Sequence, residues 1–337
     1  MNKITYLFGA GASKNALPIV SEVPDRINTL IDFLNKKENL LSNLEEFENL
    51  KLSNKKTKRE FQIELVEKLE WLLLESKNHA SVDTFAKKLT IKRDYKQLEQ
   101  LKIVLSVFFV FEQALNLPDK RYDSFFASIH NQLYDFPNNI RILSWNYDNQ
   151  FELTYSEYSG SSDLHSVQTS LNINHKYGDN HFRDKFGIFK LNGTIGMFSD
   201  GGWKQYVYHP DMRESVDIDF IEKVVRNYGA ITNISTLKSN FSFSWENESN
   251  EKGIVQKSIE ATSDSTTLVV IGYSFPFFNR EIDRQIISSM KNLKNVYFQA
   301  PDADLLIERF KAIRDDLTGI QLLPKFDLEQ FVLPNEL

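Results

Sequence analysis

The 337-residue chain contains no cysteine. That absence excludes disulfides, thiol nucleophiles and every zinc site built on cysteine. An excess of positive charge is missing too: 40 Lys and Arg stand against 46 Asp and Glu, a net charge of −6. The sequence-independent attraction to nucleic acid that a strongly basic protein has is therefore weak, and no nucleic-acid partner is indicated. Nor is there a long hydrophobic run. The greasiest stretch, Ile103 to Phe111, is interrupted by Ser106 and flanked by Lys102 and Glu112, far short of the ~20 residues that cross a bilayer. It reads as a buried helix, and no membrane partner is expected. Residues Met1 to Tyr6 offer no apolar stretch of leader length before the first glycines, so a cytoplasmic protein is expected.

What is present is an ordinary globular composition, 41% hydrophobic, on a chain long enough for one large domain or two smaller ones. Ile4-Thr-Tyr-Leu-Phe8 reads as a buried strand running into Gly9-Ala-Gly-Ala-Ser13. Glycines there permit a tight turn with exposed N–H groups, and a helix starting near Ser13 would aim its positive end at a bound anion. Lys14 stands where a dehydrogenase fingerprint carries its third glycine, so an ordinary dehydrogenase is not expected.

From about Val23 to Asp135 apolar residues recur at helical spacing: Ile27, Leu30, Ile31 and Leu34, then Phe61, Leu65, Leu69 and Leu72, then Leu98 to Leu115. Asn54 to Glu60 reads as a charged connection between helices, and a further helix is expected around Tyr122 to Tyr134. Ile140 to Ser144 is the second strand, followed by Gly187 to Lys190 and Thr266 to Ser274. Ser239 to Glu246, with alternating small polar and aromatic residues, is a further candidate. After a helix over Asn279–Asn292 come strand Asn295–Ala300 and helix Asp302–Ile313. Tyr158 to Asn180, rich in Ser, Asn and Gly, reads as a surface loop or lid. Alternating strands and helices point to a Rossmann-like α/β fold, a parallel sheet with helices on both faces. Its expected division is a sheet domain of residues 1–22 and 136–337 with a helical insert of residues 23–135.

In an open parallel sheet, ligands bind beyond the carboxyl ends of the strands. Four such ends carry glycines, small hydroxyls or carboxamides: Gly9 to Ser13, Ser144 to Asp148, Lys190 to Thr194 and Gly272 to Pro276. Those groups suit phosphates, ribose hydroxyls and an amide-bearing ring.

Gly9-Ala-Gly-Ala-Ser13 after a strand, Asn146-Tyr-Asp148, Lys190-Leu-Asn-Gly193 and Val-Ile-Gly272-Tyr-Ser274 followed by Asp283 resemble the sirtuin superfamily. The likeness is to its bacterial branch of NAD-consuming domains associated with anti-phage defence, where a segment like Ser81-Val-Asp-Thr-Phe85 also recurs. The resemblance implies a sirtuin-like fold and cleavage of the nicotinamide–ribose bond of NAD, without a metal. It implies that Asn146 orients ribose hydroxyls and the attacking water and that Asp148 helps hold the nicotinamide end. The pyrophosphate would lie on Gly9, Ala10, Gly11, Ala12 and Ser13. Gly193 would belong to the turn beside it, Gly272, Tyr273 and Ser274 would line the adenosine side, and Asp302 would reach the adenine or its ribose. Action as a homo-oligomer or in a complex with a genomic-neighbour protein is a further implication.

One position departs from the family pattern. Asn192 stands where a histidine is usual, and a carboxamide cannot act as a base. Either the enzyme is slow, or another group substitutes, among them His165, His175, His181 or His209, or the pocket only binds and the chain is a sensor or scaffold. Protein deacetylation is not expected without the cysteine ribbon. Other chemistries fit poorly. Pro276 replaces the second glycine of a nucleophile elbow, Gly11 to Lys14 reverses the phosphate-loop order, and His175 and His181 lack the spacing of a helical metal pair.

Overall fold

The structure, a computed structural model, describes residues 2–47, 56–133, 135–175, 184–199, 204–206, 215–233, 238–246 and 253–337. In chain order it runs through β1 (Ile4–Phe8), α1 (Val23–Leu34), α2 (Lys58–Asn78), α3 (Val82–Ile91), α4 (Tyr95–Leu115), α5 (Lys120–Ile129), β2 (Ile140–Ser144), α6 (Gln150–Ser159), α7 (Leu164–Ser170), β3 (Ile173–Asn174) and β4 (Gly187–Lys190). It continues through β5 (Met197–Ser199), β6 (Lys204–Tyr206), α8 (Ile218–Asn233), β7 (Lys238–Ser239), α9 (Ile254–Thr262), β8 (Thr267–Ile271), α10 (Arg280–Ser289), β9 (Asn295–Gln299), α11 (Ala303–Lys311) and β10 (Gln321–Lys325).

Seven strands form one parallel sheet in the order β10-β9-β8-β1-β2-β4-β3. This is the expected Rossmann-like α/β architecture. β1 lies between β8 and β2, and all five of its residues are buried, which is why its sequence is apolar without polar alternation. Successive side chains still divide between the two faces. Leu7 joins Leu143, Val270 and Phe298 against α9, α10 and α11. Phe8 packs instead on Phe125 of α5 and Phe151 of α6, with ring centroids 6.1 and 5.0 Å away. Many of the 26 phenylalanines are thus accounted for as core.

Two compact units are present. One contains the sheet: Met1–Asn15, Pro118–Gly193 and Ser242–Leu337. The other comprises Ala16–Leu117 and Thr194–Phe241, in which α1, α2, α3, α4 and α8 pack together and β6-β5-β7 form a small antiparallel sheet. The helical unit therefore differs in its bounds from the expected insert of residues 23–135. It starts earlier, yields α5 to the sheet unit, and takes in residues 194–241 from the second half of the chain. α5 belongs with the sheet because Tyr122, Phe125, Phe126 and Ile129 give it an apolar face that is buried in that core.

Other expectations need correction. No α-helix starts near Ser13: residues Ala10–Ser13 form a single 3-10 turn, and the next helix begins at Val23. Tyr158 to His175 is not one long loop, since α6 runs to Ser159 and α7 and β3 follow, while residues 176–180 lie outside the described residues. Ser239 to Glu246 is not a strand. β7 ends at Ser239, and Ser244–Glu246 is a 3-10 turn. Lys58 to Glu60 are the first turn of α2 rather than a connection, capped by Thr57, whose hydroxyl accepts from Glu60 N while the Glu60 carboxylate accepts from Thr57 N. Residues 54 and 55 are outside the described set. α4 is buried over Leu101–Gln113, and among the described residues no single helix is long and apolar enough to cross a membrane.

Candidate functional site

Register brings the strand ends level. Phe8 pairs with Ser144 on one side and Ile271 on the other, and Ser144 pairs with Lys190. Gly9, Trp145, Leu191 and Gly272 therefore leave the sheet side by side, and the four polar turns that follow share its carboxyl edge. The bonds between them continue the ladder for one residue: Trp145 N donates to Phe8 O at 3.0 Å and Leu191 N to Ser144 O at 2.8 Å.

The glycine turn is shaped by contact. Gly9 N donates to Ile271 O at 3.0 Å, Gly11 N to Gly272 O at 2.9 Å and Ala12 N to Gly9 O at 2.9 Å. A Cβ on Gly9 would lie 2.6 Å from Tyr273 Cα, and one on Gly272 would lie 2.3 Å from Ala12 N. These glycines let two strand ends touch, and three of the N–H groups expected to cradle a phosphate are engaged within the protein. Ala10 is the exposed residue of the turn, and its N–H makes no backbone bond among the described residues. Arg121 of α5 fastens the turn from the other side, donating to Ala12 O at 2.9 Å and to the carboxylate of Asp119.

Ser13 is the centre of a buried network. Its hydroxyl donates to Asp148 Oδ2 at 2.9 Å. With that proton committed, it accepts from Tyr122 OH at 2.8 Å and from Asn146 Nδ2 at 3.3 Å, which fills its valence. Asn146 Nδ2 also donates to Gly9 O at 3.0 Å. Both amide protons of Asn146 are thus occupied, and the group it can offer a ligand is Oδ1. Burial holds the Asp148 carboxyl above the ordinary carboxylate range, opposed by the Lys190 ammonium, the Gln150 N–H and the Ser13 hydroxyl. Tyr122 is pushed further up, by burial first and by the Asp148 charge second, so it remains a donor.

Lys190, the last residue of β4, is fully buried and bridges to Glu152 Oε2 at 3.1 Å and to the main-chain oxygen of Asp148. Gln168 Nε2 donates to the other Glu152 oxygen at 3.2 Å. This ion pair sets the backbone of Asp148.

Asn192 has a different status. Its Nδ2 donates to Trp145 O at 2.9 Å, which fixes the orientation of the amide. Its Oδ1 is buried and accepts nothing from the described residues, although the residue is only 9% exposed. A buried carbonyl without a donor is destabilising by about 1–3 kcal/mol unless water or a ligand supplies one. Gly193 follows with φ +72, its N–H returning to Lys190 O at 3.1 Å.

Among the sequence-derived candidates, the structure brings Gly9, Gly11, Ala12, Ser13, Asn146 and Asp148 into one network, with Asn192 joined through Trp145. Gly272 and Tyr273 contribute backbone contact. Ser274 is exposed, and its carbonyl accepts from Arg309 at 2.7 Å. Asp302 is exposed beyond β9, two strands away from β1, and no hydrogen bond links it to this network. His175 is buried after β3, the outer strand two removed from β2, and His165 is exposed on α7. Neither bonds to Ser13, Asn146, Asp148 or Asn192, and His181 and His209 lie outside the described residues. Among the described residues no group of three His, Asp or Glu side chains could hold a metal ion.

Sequence reasoning missed Tyr122, the role of Lys190, and the paired use of Trp145 and Tyr273 described below. Tyr122 carries no distinguishing signal, because its spacing with Phe125, Phe126 and Ile129 reads as core. Lys190 did carry one: a lysine closing an apolar strand in a parallel sheet has to find a buried acid. No known family profile matches the chain, and no curated protein is similar to it at a significant level.

Proposed function

We propose that the sheet unit binds NAD at these strand ends and hydrolyses its nicotinamide–ribose bond, giving nicotinamide and ADP-ribose. The observation that carries this reading is the buried, unpartnered Oδ1 of Asn192, beside a network that also holds two acceptor groups, Asn146 Oδ1 and the already hydrogen-bonded Asp148 carboxylate. A site lined by acceptors wants a ligand rich in donors, and ribose hydroxyls with a carboxamide N–H₂ supply them. The likeness of the four turns to sirtuin-like sequences is what favours NAD over another nucleoside. In the reaction the C1′–N bond breaks and its electron pair neutralises the pyridinium ring. A water oxygen bonds to C1′ and its proton passes to a carboxylate. Asn192 cannot take that proton, and Asp148, whose proton affinity burial raises, can. The same likeness suggests a role in anti-phage defence by NAD depletion, in an oligomer or with a partner protein.

A second reading, an NAD-binding sensor that cleaves slowly or not at all, is favoured by one observation: the position of the expected histidine is held by an amide whose nitrogen is fixed on Trp145 O. Incubation of the full chain with NAD, followed by chromatography for nicotinamide and by calorimetric binding, separates them. Release that disappears in Asn146→Ala supports the hydrolase. Binding without release supports the sensor, whereas slow release is expected to rise by on the order of 10² in Asn192→His. Absence of both binding and release overturns the proposal.

A further inference from the structure

Asp283 of α10 is 2% exposed, and the proposed hydrolysis makes no use of it. Its Oδ1 accepts from Trp145 Nε1 at 3.0 Å and its Oδ2 from Tyr273 OH at 2.7 Å. A carboxyl this deeply buried is ordinarily paired with a cation or replaced by an apolar residue, which would be at least as stable. Here its partners are two neutral donors from two different strand ends, with rings stacked 6.1 Å apart at 16°.

Both donors lead into the site. Trp145 accepts the Asn192 amide on its carbonyl and is followed directly by Asn146. Tyr273 supplies the Cα against which Gly9 fits, and it follows Gly272, which meets Gly11 and Ala12. One carboxyl thus reaches the turns after β1, β2, β4 and β8 through two aromatic side chains.

We propose that Asp283 is a positioning residue for the strand-end site: by holding Trp145 and Tyr273 together, it fixes the placement of Asn146, Asn192 and the contact between Gly9 and Gly272. Burial raises its proton affinity up to about 7, against the pull of the Tyr273 hydroxyl and the Trp145 indole. On its own helix, the flanking Glu281 and Arg284 are exposed. On α9, which packs against α10, the charged residues are Lys257 and Glu260. None of these contributes to the balance at Asp283. The ionised carboxylate accepts from both donors as charge-assisted bonds, whereas the protonated acid offers weaker neutral bonds and keeps Tyr273 through the protonated oxygen only by reversing that bond, donating to the phenol oxygen. The clamp is therefore tightest above about pH 7 and loosens below it.

The test uses the full chain carrying 5-fluorotryptophan, with the Trp145 fluorine signal assigned by its loss in Trp145→Phe. The Asn192 side-chain amide and the Gly9 backbone amide are followed in the same samples by nitrogen-15 labelling. The three signals are expected to titrate together with a midpoint near 7, and all three titrations are expected to vanish in Asp283→Asn. A Trp145 signal that titrates while Asn192 and Gly9 stay still overturns the proposal, as does a titration that survives Asp283→Asn. Should that variant fail to fold, Tyr273→Phe keeps the ring and removes one donor. The midpoint is then expected to rise and the Asn192 amide to shift with it, and an unmoved midpoint overturns the proposal. No ligand is involved, so the outcome stands apart from whether NAD is bound or cleaved.

Discussion

Ser13 and Asp148, from the turns after β1 and β2, are joined by a 2.9 Å hydrogen bond in which the serine hydroxyl is the donor and the buried carboxylate the acceptor. Two further donors, Tyr122 OH and Asn146 Nδ2, converge on the same serine oxygen. The bond lowers the proton affinity of Asp148 against the larger effect of burial.

Ser13→Ala removes that bond and strands Tyr122 OH in an apolar core. Stability is expected to fall by about 1–3 kcal/mol in denaturant titrations. The midpoint of Asp148 is expected to move up, because the donor that favoured its charged form has gone. If Asp148 accepts the proton in NAD hydrolysis, the acidic limb of the pH–rate profile moves up with it. Thermal melts and nicotinamide release against pH measure both, and an acidic limb that stays in place argues against Asp148 as the base.

Gly272→Ala and Gly319→Ala form a matched pair. Gly272 has φ +57, and an added Cβ would sit 2.4 Å from Gly11 C. Gly319 has φ +73 and nothing within 4 Å of the same atom. Both variants bear the left-handed strain of about 1–2 kcal/mol. Only Gly272→Ala adds backbone overlap, so it is expected to be less stable than Gly319→Ala by a further ~2 kcal/mol. Equal losses would mean that the two turns can separate at little expense.

How much of this was legible beforehand follows from what pattern encodes. β8 is an almost continuous apolar run, and β1, β2 and β9 are short apolar segments broken by Thr5, by Arg141, and by Asn295 and Gln299 at the ends. The parallel sheet could still be read from them, and register then aligned the turns already singled out. The glycines were found for the wrong physical reason. Exposed N–H groups and close packing both require the absence of a Cβ, and sequence cannot tell which of the two Gly9 and Gly11 serve. The helical unit was misbounded because α5 and α8 carry the same amphipathic signal whichever core they join. Tyr122 was out of reach as a site residue, and Asp283, although part of the motifs that carry the resemblance, could not be given its partners, because these contacts are distant in sequence, 109 positions for Tyr122 and Ser13, and 138 for Trp145 and Asp283.

The pH dependence of stability follows from Asp283. Its folded proton affinity, near 7, lies above that of an exposed aspartate, so the native state holds this proton more tightly than the unfolded chain. Its contribution is fully present below about pH 4 and is lost as pH rises through 7. Compared with Asp283→Asn, which does not titrate, the wild type is expected to lose stability across that window with a slope of up to about 1.4 kcal/mol per pH unit. Urea titrations of both proteins between pH 4 and 8 measure it. A constant difference would mean that Asp283 is ionised throughout.

Lys190 and Glu152 are each 0% exposed as side chains and lie 3.1 Å apart. Removing one of two such charges leaves the other buried without compensation, and Lys190→Met is expected to lower stability by about 3–5 kcal/mol. Removing the charge from both, as Lys190→Met with Glu152→Gln, is expected to restore much of that loss, because a neutral amide beside a thioether carries no ionic desolvation penalty and still accepts from Gln168. Recovery of stability need not restore the site. Lys190 also donates to the main-chain oxygen of Asp148, so the double variant is expected to refold while the Asp148 backbone amide and the Ser13 signals remain shifted. A double variant as unstable as the single one would show that the lysine matters chiefly through this main-chain bond, and a site restored along with stability would show that the ion pair only fills the core.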